Sequence, residues 1–177
     1  RRGEGLGPRG IQRALASLRS FYRYLERENL AGGAALRSIR SPKLPRTLPR
    51  PLSEADAART IVEAGQEEEA WIAARNAALI TLLYGTGLRI SEALSLRRGD
   101  IPLPDTLTIM GKGGKQRAVP VLVEVREAAA AYAALCPFAA ARSDALFLSR
   151  RGKPMGAREA QALMQSLRGR LGLSPSA

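Results

Sequence analysis

Residues 79–100 read LITLLYGTGLRISEALSLRRGD, and this stretch decides the fold. It begins inside an apolar run, Ala77–Tyr84, and breaks at Gly85-Thr86-Gly87. It then restarts with Leu88, Ile90, Leu94 and Leu96 among polar positions. The pattern predicts a buried helix, a glycine break and a second, amphipathic helix. Gly85 and Gly87 are expected to supply the backbone conformations that end one helix and let the next begin close by. Arg89 then falls in the first turn of the new helix, between Leu88 and Ile90, with Glu92 three residues on. A helix N-terminus disfavours cations and attracts anions. An arginine held there implies an oxyanion partner, a phosphate foremost. The plain alternative is a partly buried arginine that ion-pairs with Glu92 across one turn.

Working outward, the 177 residues are 45% hydrophobic but only 5% aromatic, so the core is expected to be largely aliphatic. No apolar run approaches the ~20 residues that span a bilayer. The amino end opens on charge and glycine and does not match a signal peptide, so a cytoplasmic location is expected. The single cysteine, Cys136, excludes an internal disulfide and a zinc cluster. It reads as a small apolar residue near a helix end. With no histidine, no histidine base or histidine-rich metal site operates within this chain.

The net charge of +12 favours a polyanion as partner. It is unevenly placed. Residues 1–51 hold 12 basic and 3 acidic side chains, residues 52–177 hold 16 and 13. Pro8 marks a helix start, and Ile11, Leu15, Leu18, Tyr22 and Leu25 make one apolar stripe. Arg9, Arg13, Arg19, Arg23 and Arg27 gather on another face at 100° per residue. Such a face is either merely solvated or meets phosphates, and its nearly pure basic character favours phosphates. Ser41–Pro51, SPKLPRTLPRP, has four prolines with Lys43, Arg46 and Arg50, and predicts an extended linker.

Ser53 is an expected N-cap for a helix through about Ala64. Glu67-Glu68-Glu69 are expected to open the helix that runs to Tyr84, with Trp71 in the core. Thr106–Met110 and Arg117–Val121, separated by Gly111-Lys112-Gly113-Gly114-Lys115, predict an antiparallel hairpin. Helices are expected over Val123–Leu135 and Arg158–Leu171, with Leu146–Leu148 a short strand or an extended segment. The glycine-rich turn lacks the spacing of a nucleotide-binding P-loop. No paired-carboxylate motif for magnesium is present. The four tyrosines, Tyr22, Tyr24, Tyr84 and Tyr132, read as packing residues.

LLYGTGLRISEALSLRRGDI, residues 82–101, resembles without a gap the first catalytic arginine box of the tyrosine recombinases, of the phage integrase family, in particular the Xer-type branch. GKGGKQRAVPV, residues 111–121, resembles the family's hairpin with its catalytic lysine. LRSFYRYL, residues 18–25, followed by the proline-rich linker, is similar to the last helix of the core-binding domain and its tether.

The resemblance implies a mainly α fold with a small antiparallel β-sheet. Residues 1–40 would close a helical DNA-binding domain, 41–51 form the linker, and 52–177 open the catalytic domain. It implies site-specific recombination of double-stranded DNA through a 3′-phosphotyrosine, within a homo- or hetero-tetramer on two sites, without cofactor or metal. Arg89 and Lys112 match the catalytic positions, and Glu92 matches a supporting one. Arg9, Arg13, Arg19, Arg23, Arg27, Lys43, Arg46, Lys115 and Arg117 are the expected DNA contacts.

In the family the nucleophile is a tyrosine beyond a His-x-x-Arg box. RLGLSPSA, residues 170–177, resembles the segment just before that box, so no nucleophile is expected in this chain, which reads as a truncated, inactive piece. The competing reading is a non-catalytic DNA-binding relative, against which the intact Arg89 and Lys112 argue. An RNA-binding module lacks an aromatic stacking platform.

Overall fold

Gly7 in extended conformation followed by Pro8 starts α1, Pro8–Arg27. Glu28 caps it, and Asn29, at φ 56°, turns the chain back toward α2, Ala34–Ser38. Glu26 closes this turn: its Oε1 accepts from the Gly33 N–H at 2.8 Å and from Arg37 Nη2 at 2.6 Å. Gly33 fits closely here: a Cβ would sit 3.1 Å from both Tyr22 Cβ and Glu26 Oε1. No residue of α1 is fully buried, and Leu18, Phe21 and Tyr24 stand about half exposed.

The structure is a computed structural model describing residues 5, 7–44, 52–110, 114–138 and 141–174. It divides into units of residues 1–48 and 49–177. The expected polyproline geometry of 45–51, Arg46 included, and the hairpin tip with Lys112 lie outside the described residues.

In the second unit Ser53 caps α3, Glu54–Ala64, accepting from the Asp56 N–H at 3.1 Å. The central helix is α4, Ala70–Thr86, with Glu69 as its N-cap. Glu67 and Glu68 therefore precede the helix, where Glu67 and Glu69 pair with Arg150 instead. The short helix α5, Ile90–Ala93, leads into a 3₁₀ turn at Arg98–Asp100. Strands β1, Thr106–Met110, and β2, Gln116–Pro120, form a two-stranded antiparallel sheet. Helix α6, Val123–Leu135, and α7, Ala157–Arg170, complete the order. Residues 146–148 make no named strand, being held by isolated bridges Arg97↔Ala145 and Leu148↔Pro154.

The core forms where α4 lies on α6. Leu79 and Leu82 meet Val125, Ala129 and Tyr132, while Leu107, Ile109 and Val119 cover it from the sheet and Leu146 and Phe147 from the extended segment. Tyr132 stacks on Phe147 with centroids 5.6 Å apart, and its hydroxyl accepts from the Leu148 N–H at 3.0 Å. Trp71 is only partly buried and meets Phe138 edge-on. Arg75, 5% exposed, donates Nη1 to the Leu148 carbonyl at 2.8 Å and to Glu159 Oε1 at 3.1 Å. Its Nε and Nη2 reach Asn76 Oδ1. A buried guanidinium needs such partners, and these join α4, the extended segment and α7.

Candidate functional site

The glycine break works differently from the expectation. Only Gly87 takes the left-handed conformation, φ 63°, that ends α4, its N–H donating to Leu83 O at 3.0 Å. Gly85 remains helical and answers a packing need, since a Cβ there would meet Val125 Cγ2 at 2.7 Å. The restart is also shorter. Helix α5 has four residues and Arg89 is its N-cap, in extended conformation, not a first-turn residue. Four residues give little macrodipole, so the helix end itself, contrary to expectation, offers an anion little.

Carboxylate geometry organises the site instead. Glu92 Oε2 accepts from the Arg89 N–H at 2.8 Å, and Oε1 accepts from Arg89 Nη1 at 3.0 Å. From β2, Arg117 places Nη1 2.9 Å from Oε1 and Nη2 2.8 Å from Oε2. Each oxygen thus has one donor from Arg89 and one from Arg117. The Glu92 side chain is 11% exposed, Arg117 38% and Arg89 71%. The plain alternative is met in its ion pair with Glu92 but not in its burial: Leu88 is buried, and the guanidinium is tethered at one corner but otherwise open to solvent.

Hydrogen bonding from the Arg117 side chain, then from the Arg89 backbone, holds Glu92 down to about 2 against a usual 4.5. The same bond raises Arg117. Two guanidiniums around one carboxylate leave one net positive charge. That is a match for one phosphodiester, which a guanidinium fork can engage through two oxygens.

The other expected positions divide. Arg13, Arg23, Lys43 and Lys115 are exposed, as is Arg9. Arg27 is exposed beside Glu28, at 3.5 Å. Arg19 turns inward, donating to Ser41 Oγ at 3.1 Å and to the Ile39 carbonyl. Arg117 likewise turns inward, toward Glu92. Its direction was readable from parity: a strand alternates faces, and Arg117 shares the parity of buried Val119. Among the tyrosines only Tyr132 is fully buried, and burial pushes its hydroxyl up to about 12. Tyr24 and Tyr84, expected to pack, are 49% and 54% exposed. Among the described residues no cluster of three or more His, Cys, Asp or Glu could hold a metal, and no helix is long and apolar enough to cross a membrane.

The tyrosine recombinase XerC of Methylobacterium sp. (strain 4-46) is 52% identical over 182 residues, covering 100% of this chain and 57% of the relative. XerC of Bradyrhizobium diazoefficiens is 46% identical over 183 residues, again across 100% of this chain and 57% of the relative. The chain thus spans a little over half the length of these curated relatives. The crystal structure of XerA recombinase superposes with a TM-score of 0.62 at 26% identity, over 93% of this chain and 55% of that one. XerH bound to palindromic difH substrate, in a post-cleavage complex, superposes with a TM-score of 0.74 over 98% of this chain and 53% of that one. At 23% identity the XerH match establishes the shared fold. A family model described as the phage integrase family matches residues 53–177, and the chain, with its exposed Arg89 at the head of α5 beside a two-stranded hairpin, belongs to that family of tyrosine recombinases.

Proposed function

We propose that the protein containing this chain is a site-specific DNA recombinase, which cleaves and rejoins double-stranded DNA through a 3′-phosphotyrosine. One observation carries the reading: Arg89 is tethered through Glu92 to the hairpin yet keeps most of its guanidinium open to solvent. In this scheme Arg89 binds non-bridging oxygens of the scissile phosphate. Its charge then stabilises the extra negative charge of the pentavalent transition state, where preorganised donors act most strongly. A tyrosine oxygen attacks phosphorus, the phosphorus–5′ oxygen bond breaks, and Lys112 delivers a proton to the leaving 5′ oxygen. Arginine and lysine supply the positive charge, so the scheme calls for no metal or nucleotide.

Glu92 is the supporting group that aims Arg89. Exposed Arg13, Arg23 and Arg27 on α1, with Arg9, Lys43, Arg46 and Lys115, are the proposed phosphate contacts outside the cleavage site. Residues 1–40 act as the end of a DNA-clamping domain, 41–51 as its tether and 52–177 as the start of the catalytic domain. The assembly is a tetramer on two DNA sites, and the protein works in the cytoplasm.

The test uses the whole protein and a nicked duplex carrying its target site. A covalent protein–DNA adduct on a denaturing gel, lost on Arg89→Ala, is the expected result. Site binding without any adduct would assign the protein to the non-catalytic reading instead.

A further inference from the structure

We infer that Arg117 is a positioning residue, a latch that fixes the hairpin to the Arg89 turn through Glu92, and not a DNA contact. The strand register is the first ground. Ile109 pairs with Arg117 and Leu107 with Val119, so Arg117 lies on the face of the sheet whose other members are buried. A side chain on that face is aimed at the body of the domain, away from a polyanion lying outside.

The fork is the second. Arg117 covers both oxygens of Glu92, at 2.9 and 2.8 Å. Two parallel bonds fix the orientation of strand against helix as well as their distance. Lysine, with a single compact ammonium, cannot do this. Because the guanidinium is spent on the carboxylate, the cluster's unbalanced positive charge resides on Arg89.

Position is the third. Beyond the Ile109–Arg117 pair lies only Met110–Gln116 before the turn that bears Lys112. The latch therefore holds the sheet one pair from the base of that turn, while the same carboxylate holds Arg89. One group thus joins Arg89 to the next-to-last strand pair before Lys112. Its bearing on catalysis rests on the recombinase reading, so the test is placed on the hairpin itself, where failure of that reading changes nothing.

The experiment measures amide exchange in the 177-residue chain, with the ladder amides of β1 and β2 as reporters and Leu82 and Ala129 as core controls. A duplex of fixed sequence serves as the binding probe over a series of salt concentrations. Arg117→Gln and Arg117→Lys are both expected to speed ladder exchange about tenfold or more. Core exchange and the salt slope of DNA binding stay at wild-type values. Glu92→Gln gives the same acceleration, and adding Arg117→Gln to it gives no more. Arg117→Lys keeps the charge and stem, so it carries the test where the glutamine variant fails to fold. Wild-type ladder exchange in Arg117→Lys overturns the latch. So does a drop of about 0.9 in the salt slope of Arg117→Gln, the mark of one phosphate left without its cation.

Discussion

Arg75 and Glu159, 84 positions apart in the chain, meet at 3.1 Å with the arginine almost wholly withdrawn from water. The same guanidinium satisfies the Leu148 carbonyl and Asn76. Removing it strands two buried acceptors, each of which costs about 1–3 kcal/mol to leave unpaired. Arg75→Ala is therefore expected to destabilise the 49–177 unit by about 2–6 kcal/mol. Glu159→Gln keeps an acceptor near Nη1 and is expected to cost under about 1.5 kcal/mol. Urea unfolding of both variants checks the ordering, and equal losses would contradict it.

The acid response of the hairpin follows from Glu92. Its folded-state value lies near 2 and its ordinary value is 4.5, so the carboxylate favours the folded state fully above the ordinary value. That contribution declines as pH falls from about 4.5 toward about 2. Midpoints of urea unfolding across this window should fall more steeply for the native chain than for Glu92→Gln, which has no proton to take up there. Parallel curves would show that Glu92 is not held as its four donors require.

In the whole protein Arg89→Ala is expected to reduce cleavage by about 10²–10³-fold or more. Affinity for the site should change little, since one phosphate contact among many contributes little to binding. Adduct formation and gel-shift titration separate the two. Lys112→Ala should also slow cleavage, and a 5′-thio leaving group should restore it, because a thiolate leaves without a proton donor.

On α1, Arg13, Arg23 and Arg27 point outward, whereas Arg19 anchors Ile39 and Ser41. Neutralising the first three together should weaken DNA binding across sequences and lower the salt slope by about 0.9 for each phosphate that is no longer neutralised. Arg19→Gln should leave the slope nearer wild type and loosen residues 39–41, seen as faster amide exchange there.

The 177-residue chain incubated with a nicked duplex is expected to form no phosphotyrosine adduct. Tyr132 points from α6 into the core, with its hydroxyl accepting from the Leu148 N–H and raised to about 12. Tyr84 is exposed, but it lines a groove with Leu52, Ala57, Ile80, Leu83 and Met164 whose surface is largely apolar. An adduct mapped to any of the four tyrosines would overturn the assignment of the site.

Periodicity sufficed for most of the architecture, because α3, α6 and β1 each bury one face. It failed where a tertiary contact set the local choice. Gly85 looks like a helix breaker in sequence, yet what excludes a side chain there is Val125, forty residues away. The Leu88–Leu96 pattern looks like a full helix, yet its chain is drawn off after Ala93 into the turn at Arg98–Asp100, where the Arg98 N–H donates to Asp144 O. Glu92 is legible as a partner of Arg89 from its spacing alone. Its second partner requires the strand register, which alternation can supply. Arg75 escapes a reading of the sequence because a charge within an apolar run looks like an interruption unless its acceptors, all but Asn76 distant in sequence, are known.

The close seat of Gly85 on Val125 acts as a gauge block for the whole break. The contact joins the last turn of α4, which leads into Arg89, to the first turn of α6, which follows the hairpin. A methyl group at position 85 would have to displace Val125 from 2.7 Å. Arg89 lies four residues beyond that strain, and no charge is altered. In the proposed recombinase, the placing of Arg89 would thus be open to adjustment by hydrogen-to-methyl exchange at a position outside the proposed phosphate contacts.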